Sequence, residues 1–245
     1  MNNKIIIQLV LKNTIIVAIF LLLLNLICLI PLKSKEDVFY SYIFNVNSSD
    51  IVFFVHVPLM LVFIAKSLSI VQRPYIIVRH KSLDHLYVTN IKVAFVAAVS
   101  YFVIKIFIEI GLILCFAVNE FFQPIIFDCL FAYFVQFVAI FFAFILFVVL
   151  FEIFRKISIA SIGFFLIIGV DLLSTILPAF GNKFFDLNIL IMPMSLVGHY
   201  VSSYLYNSDI GININVELLN MLIKICIIGL APPLINSMKR RFKRV

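Results

Sequence analysis

The sequence predicts an all-α integral membrane protein with six transmembrane helices, and three observations carry that expectation. Hydrophobic residues make up 64% of the chain against 13% charged, with a mean hydropathy of +1.19, which leaves too little polar surface to cover a soluble globule of 245 residues. Apolar runs of about 20 residues, the length that crosses a bilayer as a helix, recur at 13–32, 51–71, 93–118, 125–151, 157–177 and 217–237. The basic residues gather at the ends of these runs, most of them at ends that share one side.

At the N-terminus, residues 1–12 place Lys4, Gln8 and Lys12 at every fourth position among Ile5, Ile6, Leu9 and Val10, the pattern of a helix lying along a membrane surface. The other reading is a first span that starts early. The run that follows is long and lacks a small-x-small cleavage site, so it is expected to stay as an anchor. After the second run comes a basic break, residues 72–92. Within it Ser82 is placed to cap a helix, Asp84 suits the positive end of that helix, and Leu83, Leu86, Tyr87 and Ile91 fall on one face. That face would dock on a partner; alternatively the break is an ordinary inside loop, with Arg79, His80 and Lys81 anchored to lipid headgroups.

Charges inside the apolar runs stand out because each costs roughly 2.5–3.5 kcal/mol at a helix centre. Lys105 and Glu109 sit four residues apart on the third run, so they share a face and can neutralise each other, either as a polar patch along a pathway or as a self-contained ion pair. Asp171 stands alone in the outer half of the fifth run, within reach of interfacial water, and Lys66 is close enough to the inner end of the second to snorkel. The fourth run carries Phe127, Phe131, Phe134, Phe137, Phe141, Phe144, Phe147 and Phe151 at helical spacing, a stripe that reads first as packing or lipid-facing surface and second as a greasy wall beside a path.

Orientation follows from the basic residues. With the N-terminus inside, the inner segments hold Lys4, Lys12, Arg73, Arg79, Lys81, Lys92, Arg155, Lys156, Lys239, Arg240, Arg241, Lys243 and Arg244, and the outer ones hold Lys33, Lys35 and Lys183. Both termini are then cytoplasmic in a multi-pass protein of the cell membrane. A seventh span over 187–206 is rejected on the same ground, since it would carry the basic C-terminal tail outside. Leu196, Val197, Tyr200, Val201, Tyr204 and Leu205 instead make one face of an amphipathic helix there, opposite Ser195, His199, Ser202 and Ser203. The outer connection 178–216 that contains it is either a re-entrant hairpin or a loop resting on lipid.

Several classes of chemistry are excluded. The positive charge sits where anionic lipid and topology account for it, so nucleic acid is not a partner. Cys28, Cys115, Cys129 and Cys226 lie inside apolar segments with no C-x-x-C pair, which indicates neither a disulfide framework nor zinc. No G-x-x-x-x-G-K-[ST], G-x-S-x-G or H-E-x-x-H occurs, and His56, His80, His85 and His199 are divided between the two sides, His56 and His199 outward. The chain has no nucleotide-binding loop and no assembled catalytic group of its own.

Arg79, Ser82, Tyr87 and Lys92, entering the third span, follow a pattern of Arg, Ser three residues on, an aromatic and then Lys, with Tyr87 where Trp is more usual and Lys81 where glycine precedes the Ser. In this motif and in its whole-length architecture the chain resembles the small permease subunits of ABC-2-type (type V) transporters. The resemblance implies an N-terminal interfacial helix, a coupling helix within 72–92 seated in a separate ATPase subunit, and a re-entrant outer connection before the last span. It also implies a second permease copy or paralogue as dimer partner, with ATP and Mg bound by the ATPase and no cofactor in this chain. Similar Gram-positive permeases export bacteriocins and phenol-soluble modulins or confer self-immunity to lantibiotics, so the expected cargo is a hydrophobic or amphipathic peptide. The competing expectation is a nucleotide-independent membrane scaffold or a peptide-toxin immunity protein.

Overall fold

The structure is a computed structural model that describes residues 3–29, 38–71, 83–116, 126–176, 190–191, 193–198 and 214–242. Its regular structure is entirely helical among these residues. In chain order the helices are α1 (Asn3–Leu29), α2 (Val38–Val46), α3 (Ser49–Ile51), a π-helical turn (Val52–His56), α4 (Val57–Val71), α5 (Leu83–Phe116), α6 (Ile126–Phe154), α7 (Ile157–Ile176), a short helix α8 (193–198) and α9 (Ile214–Phe242). Four stretches are long and apolar enough to cross a membrane: Val10–Leu29, Ser41–Ser69, Leu86–Cys115 and Leu130–Phe154, with a shorter apolar helix at Ile157–Leu173. Arg79, Ser82 and the rest of 72–82 lie outside the described residues, as do His199 and the distal part of the expected outer helix.

Two expected boundaries change. The N-terminal segment is not a separate surface element, because nothing between Asn3 and Leu29 breaks a helix: no Gly or Pro occurs there, and α1 runs through without interruption. Val10, Thr14, Val17, Leu21 and Leu24 form its buried stripe, while Leu11, Ile15, Ile19, Phe20 and Leu23 face outward, as suits a lipid-facing helix. The second membrane stretch begins near Ser41 and not Ile51, and it is broken at Asn47–Ser48. Beyond the break the helix widens over Val52–His56, directly before Pro58. A proline inside a helix has no N–H for the carbonyl four residues back and its ring crowds that carbonyl, and a widened turn relieves the clash.

At the core of the bundle lies α6, which packs against α5, α7 and α9. Lipid tails are as apolar as leucine, so helices in a membrane associate through close packing, which small residues allow. On α6 these are Ala132, Ala139 and Ala143, and on α5 Ala94, Ala97 and Ala98, all buried. The phenylalanine stripe is divided by this arrangement. Phe131 and Phe134 are exposed, whereas Phe144, Phe147 and Phe151 are buried. Phe144 packs on Phe63 and Tyr101 with centroids 6.3 and 6.4 Å away, and Phe147 meets Phe164 edge-on at 6.0 Å, so the buried part of the stripe is interhelical packing. Between α6 and α7 the chain reverses over Arg155 and Lys156, with Arg155 left-handed at φ 56° as the residue that ends α6.

At the opposite end of the bundle from Arg155, α8 is buried throughout, as are Leu190 and Ile191 before it. Ser195 is as inaccessible as Leu196 and Val197, so the described part of the expected amphipathic segment has no solvated face. Pro193 lies in the first turn of this helix, before the Met194 N–H that bonds the Leu190 carbonyl, so its missing N–H costs nothing. Gly198 sets its backbone against that of Asn47: a Cβ there would lie 2.8 Å from the Asn47 carbonyl oxygen. Gly198→Ala is therefore expected to destabilise the protein by about 1–3 kcal/mol through overpacking, whereas Gly111→Ala, whose Cβ would meet nothing within 4 Å, is expected to be neutral or stabilising. Thermal midpoints of the two variants in one detergent check this; equal midpoints would mean that the contact does not constrain the fold.

Candidate functional site

Tyr101, Lys105 and Glu109 recur every four residues on α5, and all three are fully buried. This places one polar stripe along a single face of an otherwise apolar helix. Lys105 Nζ lies 2.6 Å from Glu109 Oε1, and donates to Asn47 Oδ1 at 2.8 Å and Gln136 Oε1 at 3.1 Å. An ammonium has three protons; Asn47 and Gln136 accept two of them, and Glu109 Oε1 lies beside the ammonium as its counter-charge. Tyr133 Oη donates to Glu109 Oε2 at 2.7 Å, and its ring lies under the ammonium, 5.3 Å from centroid to Nζ. Gln136 Nε2 donates to Asn47 Oδ1 at 3.0 Å and to the Met194 carbonyl at 2.5 Å. The cluster therefore joins the break after α2, the middle of α5, the first half of α6 and α8.

The break at Asn47 is what makes this possible. Asn47 Nδ2 donates to the Ile43 carbonyl at 3.0 Å, which holds the amide so that its oxygen points at Lys105 and Gln136. Nearby, Tyr42 Oη donates to Asn25 Oδ1, and Asn25 Nδ2 donates to the Leu21 carbonyl at 2.7 Å, fastening α2 to α1. Sequence reasoning did not single out Asn47, which falls between the first two apolar runs, or Gln136 among the phenylalanines. The signal for Gln136 was present: an amide in the middle of the most apolar run.

Asp171 is corrected by the structure. It does not reach interfacial water: it is fully buried, and its Oδ2 accepts the backbone N–H groups of Leu190 and Ile191 at 2.6 and 2.7 Å. These donors have no partner within their own helix, so a carboxylate on α7 caps a helix 19 residues further along the chain. Ser49 Oγ donates to Ser195 Oγ at 3.3 Å and adds a third attachment to α8. His56 is buried as well; its Nδ1 pairs with Tyr101 Oη at 2.8 Å.

The coupling residues fare differently from one another. Leu83 and Asp84 begin α5, with backbone helical. Leu86 and Tyr87 are buried in the main core, and Tyr87 Oη donates to the Gly229 carbonyl of α9 at 2.7 Å, so these two side chains face this chain's own interior and not a partner. The reason is that 83–92 is no separate helix but the first turns of α5, held in the bundle's register. Ile91 is half-buried against the same core, and Lys92 and Val88 are exposed. A second polar group at this end was not anticipated: Asn90 Nδ2 donates to Glu152 Oε1 at 2.9 Å, and Arg155 pairs with Glu152 Oε2 at 2.7 Å. Lys66 is exposed. Among the described residues no group of three His, Cys, Asp or Glu is placed to hold a metal ion.

What the larger cluster does chemically is hold opposite charges in a dry site while tying four parts of the chain together. Removing one partner of a buried pair strands the other charge, at a cost of about 3–5 kcal/mol, whereas removing both with apolar residues is often close to neutral. Lys105→Met and Glu109→Leu are thus each expected to lower the thermal midpoint more than the double variant does; strictly additive losses would show that the pair is not coupled. No protein-family model, curated protein or solved structure matches this chain, so its function is read from its own residues and geometry.

Proposed function

We propose that this protein is the membrane-spanning permease subunit of an ATP-driven exporter of the ABC-2 type. It works as a dimer with a second copy or a paralogue, and a separate ATPase subunit binds ATP and Mg. In this reading six spans cross the cell membrane with both termini cytoplasmic. The four long apolar stretches are joined by α7, whose 20 residues reach about 30 Å at 1.5 Å per residue, and by α9 with 29.

The observation that supports this reading most is α5. Its 34 residues make a rod of about 51 Å, longer than the hydrocarbon core of about 30 Å, so it passes through the membrane and projects beyond it. Tyr87 and Lys92 of the coupling pattern lie in its first turns, and the buried Lys105 cluster lies further along the same rod. A push on the cytoplasmic end would move the far end without a hinge between them, which is what coupling to an ATPase requires. The cargo is a hydrophobic or amphipathic peptide of the antimicrobial or cytolytic kind, matched to a bundle whose interior is largely apolar and aromatic. Export and self-immunity use the same step, removal of such a peptide from the membrane or cytoplasm.

One observation favours the second reading, a nucleotide-independent scaffold or peptide-toxin immunity protein. Leu86 and Tyr87 are committed to internal packing, which leaves the exposed Val88 and Lys92, and the basic residues that precede α5 in the sequence, to meet an ATPase. The deciding experiment tags the C-terminus, extracts the protein from its host in mild detergent and identifies what co-purifies by mass spectrometry. A Walker-motif ATPase in near-equal amount, lost in the exposed-surface variant Val88→Asp/Lys92→Ala while membrane insertion persists, is the expected result. Recovery of the chain alone, or with membrane proteins only, would move the scaffold or immunity reading ahead.

A further inference from the structure

The polar cluster beneath α8 holds together without α8. Lys105 is bound by Glu109, Asn47 and Gln136, Glu109 by Tyr133, and Gln136 by Asn47, and none of these bonds passes through residues 190–198. What the surroundings give to α8 and the residues before it is apolar packing of Leu190, Ile191, Met194, Leu196 and Val197, together with a few polar contacts of another kind. Asp171 accepts two backbone N–H groups at its start, Gln136 donates to the backbone carbonyl of Met194, and Ser49 donates to the hydroxyl of Ser195. At the far end Gly198 rests backbone to backbone on Asn47. Each of these polar contacts is one that water can replace on both sides.

A cluster of this composition is poorly suited to permanent dryness. A buried ion pair is often matched or bettered by apolar residues of the same volume, and ionisable groups within membrane spans almost always face a bundle interior or a water-filled cavity. Here the pair, two amides and a phenol converge directly under one short buried helix. We propose that residues 190–191 and 193–198 are a detachable plug, seated on Asp171 and Gln136 over a preformed polar socket of Lys105, Glu109, Asn47 and Gln136 that is hydrated when the plug lifts. Lifting it breaks the plug's own contacts and leaves the socket's bonds in place, so the element has two discrete positions. The inference concerns how the bundle opens and holds for a transporter or an immunity protein alike.

The test uses the full chain in lipid nanodiscs, with both faces open, Ser195→Cys as the reporter, and Cys28, Cys115, Cys129 and Cys226 replaced by Ser or Ala. A hydrophilic maleimide is expected to label this cysteine slowly in the parent. Asp171→Asn, which keeps the side chain's shape but replaces a carboxylate acceptor by a weaker neutral amide, and Gln136→Leu, which removes a donor, are each expected to raise the rate about tenfold, as the weakening or loss of a hydrogen bond to a seated element would. Asn90→Leu weakens the Glu152 contact at the opposite end of the bundle and serves as the measure of general loosening; it should leave the rate unchanged. Rapid labelling in the parent would overturn the seating. Unchanged rates in both Asp171→Asn and Gln136→Leu, or an equal rise with Asn90→Leu, would overturn the plug. If Gln136→Leu does not fold, Asp171→Asn decides alone.

Discussion

A lysine and a glutamate one turn apart, with no water to turn to, set the terms for the arrangement around them. In hydrocarbon each charge must be neutralised and each remaining proton and lone pair bonded, or the helix that carries them does not stay in the membrane. Glu109 supplies the opposite charge from α5 itself, but an intrahelical pair leaves two ammonium protons and one carboxylate oxygen to be met from elsewhere. Asn47, Gln136 and Tyr133 meet them, and they come from the break after α2 and from α6. The need to satisfy one buried pair thus brings together segments that are far apart in the chain.

The rest of the bundle has the same division of labour. Apolar packing supplies proximity, through the alanines of α5 and α6 and the aromatic contacts of Tyr101, Phe144 and Phe147, while a small number of polar groups determines which parts lock to which. One such group lies at each end of the α5 and α6 pair. Asn90 and Glu152, with Arg155, fasten it near the α6 to α7 turn, and Lys105, Glu109 and Gln136 fasten it toward the other end. Between them the two helices meet through aromatic contacts such as Phe95 with Phe141 and Phe102 with Phe137, and so form a frame against which smaller elements are placed. Asp171 places one of these elements, α8, from a third helix.

Fastening at two ends also bears on function. A helix that continues from 83 to 116 without a break is stiff along its length, and in the proposed reading it would carry displacement from one end toward the other. Burial of Leu86 and Tyr87 in that frame shifts any contact with an outside partner to neighbouring residues, and explains why a face that reads as free in the sequence is occupied in the fold.

The sequence by itself determined the helical class, the membrane setting and the pairing of Lys105 with Glu109. Apolar length, the rarity of charge within it and a spacing of four are local properties, and in lipid a helix must satisfy its own backbone wherever it lies. Boundaries were less legible. The early start of the second membrane stretch and the continuity of α1 and α5 depend on which neighbours cover them, and the residues 41–50 and 83–92 are too polar to be read as membrane helices alone. Only the tertiary structure decided the partners: that Asn47 and Gln136 complete the ammonium, that Asp171 caps α8, and that Ser195 is as buried as Val197. Those hydrogen bonds span 19 to 58 residues of chain, and a hydrogen bond across such separations leaves no periodic trace in the sequence, because nothing local distinguishes an amide that will find a partner from one that will face water.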